Sequence, residues 1–130
     1  MKKVIIFGGS GFLGGYVADE LSRRNFDVTV ADLSESKYLQ DGQNFKKVDI
    51  LNAEEIFSVI KDASVVYNFS AVAELEEAIN NPIKTFDVNV MGNLNILEAC
   101  KQIGSIDRFV YASSAYALSN EGSFYGISKQ

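Results

Sequence analysis

The sequence contains no histidine and a single cysteine. Without histidine, no reaction here can use imidazole as its base. A zinc site, which draws on Cys and His ligands, has almost nothing to form from. With one cysteine, no disulfide can close within the chain. Basic residues are in the minority. Twelve Lys and Arg face 17 Asp and Glu, a net charge of −5, whereas a domain that grips nucleic acid carries a basic patch. No apolar run approaches the ~18 residues of a membrane span. The start Met1-Lys2-Lys3 leads into Val4-Ile5-Ile6-Phe7, but four apolar residues fall short of the ~7–15 of a secretory signal. The expectation is a cytoplasmic protein without nucleic acid, membrane or metal among its partners.

What is present is an ordinary globular composition. Apolar residues make up 47% of the 130 and charged residues 22%, enough apolar surface to offset chain entropy in one domain. No repeat, low-complexity tract or linker divides residues 1–130. Short apolar runs alternate with helical patterns. Val4–Phe7, Phe26–Ala31, Phe45–Val48, Ser64–Asn68 and Arg108–Ala112 read as strands, the first wholly apolar as a strand buried on both faces requires. Leu13, Val17 and Leu21 recur at helical spacing, and Ala53–Ile60 suggests a helix with Ile56, Val59 and Ile60 inward. Asp32–Asn44 is polar and loop-like. Asn81 as N-cap and Pro82 as first residue open a long helix. Ile83, Phe86, Val90, Leu94 and Leu97 form its apolar stripe, and Gly104 stops it. Strands alternating with helices imply a parallel sheet with right-handed crossovers. Such sheets bind ligands at the carboxyl ends of their strands.

Five candidate sites follow strands. Gly8-Gly9-Ser10-Gly11-Phe12-Leu13-Gly14 lies between strand one and helix one, with glycines spaced 8, 11, 14 or 9, 11, 14. Glycine permits a tight turn and close approach of backbone to a phosphate, and the helix N-terminus favours negative charge. Asp32 follows strand two at the distance where a carboxylate accepts both hydroxyls of an adenosine ribose. It would repel a 2′-phosphate, which favours NAD over NADP; otherwise it is a solvated loop residue. Asp49-Ile50 follows strand three and reads equally as a helix cap and a core residue. Asn68-Phe69-Ser70-Ala71-Val72-Ala73 follows strand four and reads as room for a flat ligand or as close packing. Ala112-Ser113-Ser114 ends strand five, and Tyr125-Gly126-Ile127-Ser128-Lys129 follows. Tyr and Lys four apart share a helix face. A free phenol titrates near ~10, and an adjacent ammonium lowers that value. The tyrosine can then exchange a proton with a substrate hydroxyl, while a serine hydroxyl hydrogen-bonds the same oxygen. Cys100 reads as a packing residue, and Glu74, Glu76 and Glu77 as a solvated face.

These motifs together resemble the N-terminal part of an extended short-chain dehydrogenase/reductase, the NAD-dependent epimerase/dehydratase family. The resemblance runs from Gly8-x-x-Gly11-x-x-Gly14 through Asp32, Asp49-Ile50, Ser70-Ala71-Val72-Ala73 and Asn89-Val90-x-Gly92 to Ser113-Ser114 and Tyr125-x-x-x-Lys129. It implies a doubly wound Rossmann-type sheet of order 3-2-1-4-5. It favours the 8, 11, 14 spacing, with Phe12 and Leu13 beside the pyrophosphate. It implies that Asp49 and Ile50 meet the adenine and that Phe69, Ser70 and Ala71 line the cofactor. Ser114, Tyr125 and Lys129 match the catalytic triad, with Lys129 also holding the nicotinamide ribose. The implied chemistry is hydride transfer between NAD and a carbon of a nucleotide-linked sugar.

Departures stand beside this likeness. Phe7 and Asn93 occupy positions where the family usually has Thr, Ala73 stands where some members carry a polar residue, and Ser114–Tyr125 is short. Family members continue beyond the lysine into further strands and a substrate domain. The expectation is therefore a cofactor-binding fragment, inactive alone. Its last helix is barely one turn and prone to fray. Its fifth strand is an open edge that invites self-association, as a homodimer or by edge pairing. A non-catalytic dinucleotide module and an unliganded folding unit are the alternatives.

Overall fold

The computed structural model describes all of residues 1–130. Five strands, β1 (Lys3–Phe7), β2 (Asp27–Asp32), β3 (Asn44–Lys47), β4 (Val65–Asn68) and β5 (Arg108–Tyr111), form one sheet. Its order is β3-β2-β1-β4-β5, and all four pairings are parallel. This is the doubly wound arrangement that the motifs imply. The five strands lie within one or two residues of the apolar runs. The helices are α1 (Phe12–Arg23), α2 (Ala53–Ile60), α3 (Leu75–Asn80), α4 (Pro82–Phe86), α5 (Asn93–Ile103) and α6 (Ser123–Lys129). A π-helical segment, Asp87–Gly92, joins α4 to α5, and a 3-10 turn covers Ala115–Leu118. No helix is long and apolar enough to cross a membrane.

Strand β1 shows why the core has two halves. Successive side chains of a strand point to opposite faces. Val4 and Ile6 join Ala18, Val28 and Val30 under α1. Ile5 and Phe7 join Ile56, Ile60, Val66 and Ile96 under α2 and α5. All four β1 residues are fully buried, so the run is apolar without alternation.

Two local expectations are corrected. Asn81 precedes Pro82 but its side chain makes no capping bond. The long helix presents a different face to the sheet from the one its large residues mark. Ile83 is 78% exposed, Leu94 50% and Leu97 38%. The buried side is Thr85, Asn89, Gly92, Ile96 and Ala99. This side is fixed by tertiary contacts: at Asn89 it is hydrogen-bonded to the Val72 backbone, and at Gly92 a Cβ would lie 2.4 Å from Ile50 Cδ1. Gly104 does end the helix, in the left-handed conformation with φ 74°.

Candidate functional site

The turn from β1 to α1 depends on contacts that side chains would block. Gly8 has φ +75°, and a Cβ there would lie 2.5 Å from the Ser70 amide nitrogen. A Cβ on Gly14 would lie 2.4 Å from the Gly8 carbonyl oxygen, and one on Gly9 2.8 Å from Val30 Cγ1. Gly8, Gly9 and Gly14 are thus required by packing, and the turn meets both glycine spacings. Gly11 is different. A Cβ there would touch only the Gly8 oxygen, at 3.4 Å. Gly11 caps α1 without a side-chain hydrogen bond, and no acidic residue lies in the first turn. No carboxylate of its own first turn therefore offsets the positive end of this helix. Phe12 and Leu13 stand exposed at its start, Phe12 edge-on to Tyr16 with ring centroids 5.1 Å apart.

Asp32 ends β2 and faces this turn. Its Oδ2 accepts the Ser10 amide at 3.1 Å, and its Oδ1 accepts the Leu33 amide at 2.7 Å. The Ser10 hydroxyl donates to the Ser34 carbonyl at 2.7 Å. The residue is more than a solvated loop aspartate, since it ties the glycine turn to the neighbouring strand. Beyond this turn, a cavity of about 620 Å³ is lined by Gly11, Phe12, Tyr16, Tyr38, Leu39 and others.

The sites after β3 and β4 are built differently from this turn. Asp49 is exposed and its Oδ1 accepts the Leu51 amide at 2.9 Å. The cap of α2 is Asn52, not Asp49. Ile50 is buried in the larger core cluster. After β4, Phe69 stacks on Tyr67 with centroids 6.0 Å apart, and Ser70 and Ala71 are half-buried. The Ser70 amide donates to Asn68 Oδ1 at 2.9 Å.

Helix α6 packs against the 3-10 turn, α3 and α4. Glycine at 126 lets it seat on the 3-10 turn, because a Cβ there would lie 2.8 Å from the Glu121 oxygen and 3.1 Å from the Tyr116 oxygen. Tyr125 is half-buried, edge-on to Tyr116 with centroids 6.2 Å apart. Lys129 is only 5% exposed. Its ammonium donates to the Ala112 carbonyl at 3.0 Å and lies 4.6 Å from the Tyr111 ring centroid. Ser114 Oγ accepts the Tyr116 amide at 3.2 Å and caps the 3-10 turn. Ser114, Tyr125 and Lys129 therefore gather at the carboxyl end of β5. Burial holds the Lys129 ammonium below the ordinary lysine range. Burial raises the Tyr111 phenol, and negative charge at Tyr125 adds to the rise.

The polar ties behind these residues are not evident in the apolar pattern. Asn68 Nδ2 donates to Asn93 Oδ1 at 2.9 Å, and Asn95 Nδ2 to the Ile50 carbonyl at 3.0 Å. Asn89 Oδ1 accepts the Val72 amide at 2.7 Å, and its Nδ2 donates to the Val72 carbonyl at 3.0 Å and to Ser128 Oγ at 2.8 Å. The available signal is a run of asparagines at 89, 93 and 95, too polar for a helix otherwise read as core.

A family model described as the NAD dependent epimerase/dehydratase family matches residues 4–127. A UDP-glucose 4-epimerase of Mycoplasma genitalium is 31% identical over 122 residues, 87% of this chain and 36% of the relative. The UDP-glucose 4-epimerase of Lactobacillus helveticus is 28% identical over 133 residues, 98% of this chain and 38% of the relative. The chain thus spans under two fifths of the length of these curated relatives. Among solved structures, the UDP-glucose 4-epimerase of Thermus thermophilus, crystallised with NAD, superimposes with a TM-score of 0.86. It is 30% identical, and the match covers 98% of this chain and 47% of that one.

Proposed function

The chain belongs to the NAD-dependent epimerase/dehydratase family, and from that premise we propose that it is the cofactor-binding part of an enzyme acting on a nucleotide-linked sugar. Gly11 carries this reading. Gly8, Gly9 and Gly14 are glycine because the fold leaves no room for a Cβ, whereas Gly11, at the N-cap of α1, has room and is glycine still. Close approach of a diphosphate to the backbone accounts for it.

Bound NAD supplies the site that accepts and returns hydride. The residues of this chain do the rest. Gly8, Gly11 and Gly14 bring backbone amides to the diphosphate, with Phe12 and Leu13 beside it. The Asp32 carboxylate takes the hydroxyls of the adenosine ribose, and its charge excludes a 2′-phosphate. Asp49 and Ile50 border the adenine, and Phe69, Ser70 and Ala71 line the remainder. The Tyr125 phenol takes a proton from, or returns it to, the sugar hydroxyl at the reacting carbon. The Ser114 hydroxyl donates to that oxygen as charge develops. The Lys129 ammonium, which donates to the Ala112 carbonyl, would bind the nicotinamide ribose. Alone, the chain binds cofactor without turnover.

Calorimetry with NAD and NADP tests this. NAD is expected to bind and NADP to bind at least ~10-fold more weakly. Asp32→Asn, which keeps an acceptor for Ser10 but removes the charge, is expected to narrow that ratio. A folded chain that binds neither dinucleotide overturns the reading. In the longer protein, Tyr125→Phe separates an enzyme from a non-catalytic module: loss of turnover with NAD still bound supports the enzyme.

A further inference from the structure

The residues Tyr125 and Lys129 sit on a helix of seven residues, too short to hold its own place. Something must fix it, and the side-chain hydrogen bond from α6 to the helical layer beside the sheet runs through Ser128. Ser128 is one residue before Lys129 and three after Tyr125. It is buried, donates from Oγ to the Tyr125 carbonyl at 2.7 Å and accepts Asn89 Nδ2 at 2.8 Å. Asn89 is 2% exposed. Its amide oxygen and both amide hydrogens are taken, since it also closes a two-point clasp on the Val72 backbone. Val72 directly follows Phe69-Ser70-Ala71. Asn89 itself lies in the π-helical segment, where the widened turn departs from the regular ladder as such segments do at functional sites.

We propose that Ser128 is a positioning residue: through Asn89 it locks the helix carrying Tyr125 and Lys129 to the β4 loop carrying Phe69, Ser70 and Ala71. The cofactor wall and the proton-transfer helix then move as one body. The roles of Tyr125 and Lys129 rest on the function proposed above, but the link is a property of the unliganded chain. Three alternatives are weaker. The cavity beside Tyr16 and Tyr38 adjoins the glycine turn and offers no committed polar partner for a second ligand. The exposed side of α5 has nothing on it to identify an occupant. Cys100 is a lone thiol.

Amide hydrogen exchange on the whole 130-residue chain tests the link. Ser128→Ala is expected to speed exchange at the α6 amides and at the Val72 amide about five- to tenfold, the size of one buried hydrogen bond. Amides of β1 and β4 are expected to stay unchanged, and Ser128→Thr, which keeps the hydroxyl, to restore the wild-type pattern. If Ser128→Ala does not fold, Ser128→Cys, which keeps the volume and weakens the acceptor, gives the same comparison. Unchanged α6 and Val72 exchange, or equal acceleration throughout the sheet, overturns the proposal. A second arm uses saturating NAD, which is expected to slow α6 exchange in the wild type and much less in Ser128→Ala. Equal slowing in both overturns the link while the cofactor reading stands. Absence of NAD binding overturns the cofactor reading while the ligand-free comparison still decides the link.

Discussion

The Asp32 carboxylate accepts the Ser10 amide across 3.1 Å, joining the end of β2 to the middle of the glycine turn. One side chain thereby has two tasks. It fixes the turn in the unliganded chain, and it presents a negative charge where the ribose would lie. A charge-assisted bond to an amide is worth about 1.5–3 kcal/mol when its partner would otherwise be stranded. Partial exposure reduces that here. Asp32→Ala is expected to lower unfolding stability by about 1 kcal/mol in urea titrations, and Asp32→Asn by less.

The glycines separate packing from binding. Gly14→Ala forces a methyl group against the Gly8 carbonyl, a close contact that backbone cannot evade. Overpacking of this kind costs about 1–3 kcal/mol, seen as a lower melting temperature. Gly11→Ala is expected to change stability by less than about 0.5 kcal/mol and to weaken NAD binding at least ~10-fold, measured by calorimetry.

Half-buried Cys100 and buried Lys129 give opposite slopes with alkaline pH. Burial raises the Cys100 thiol from 9.0 to about 11. The folded chain therefore keeps a proton that the unfolded chain loses. The unfolded state gains by ionising first, so stability is unaffected below pH 9 and falls as pH rises toward 11. Lys129 is lowered by burial from 10.5. The unfolded chain holds that proton more tightly, so the penalty is full at neutral pH and fades as pH climbs toward 10.5. Urea unfolding from about pH 8.5 to the top of this range is expected to show Cys100→Ala flattening the alkaline loss and Lys129→Met steepening it.

Strand β5 pairs only with β4, which leaves its outer hydrogen-bonding edge without a strand. Such edges template pairing with another chain. Light scattering behind gel filtration is expected to give a concentration-dependent mass above 14.3 kDa. A constant monomer mass would show that the edge is otherwise protected.

Strand positions and the glycine turn are legible in the sequence because they rest on local chemistry. Val4–Phe7 is apolar throughout, and the backbone angle at position 8 is one that glycine adopts without strain. That Ser114, Tyr125 and Lys129 lie beyond the carboxyl end of β5 is legible from their order in the chain. Three things are not. Helix α3 has six residues and too little periodicity to register. The buried side of the long helix carries Asn89 and Gly92 where it meets Val72 and Ile50, tertiary contacts that the large apolar residues do not mark. The asparagine ties depend on partners 17 to 45 residues away, which no local pattern records.

The π-helical segment at Asp87–Gly92 sits between the site and the core. Within it, Asn89 is bonded to Val72 and Ser128; beyond it, Ile96 and Ala99 join the hydrophobic cluster. Each residue of an α-helix advances about 100° around the axis. Asn89, Gly92, Ile96 and Ala99 step by three, four and three residues, so one buried side runs continuously from the site through the widened turn into the core. One stretch of chain thus serves two masters, and an insertion or deletion within it would disturb the hydrogen bonds at the site and the packing of the core together.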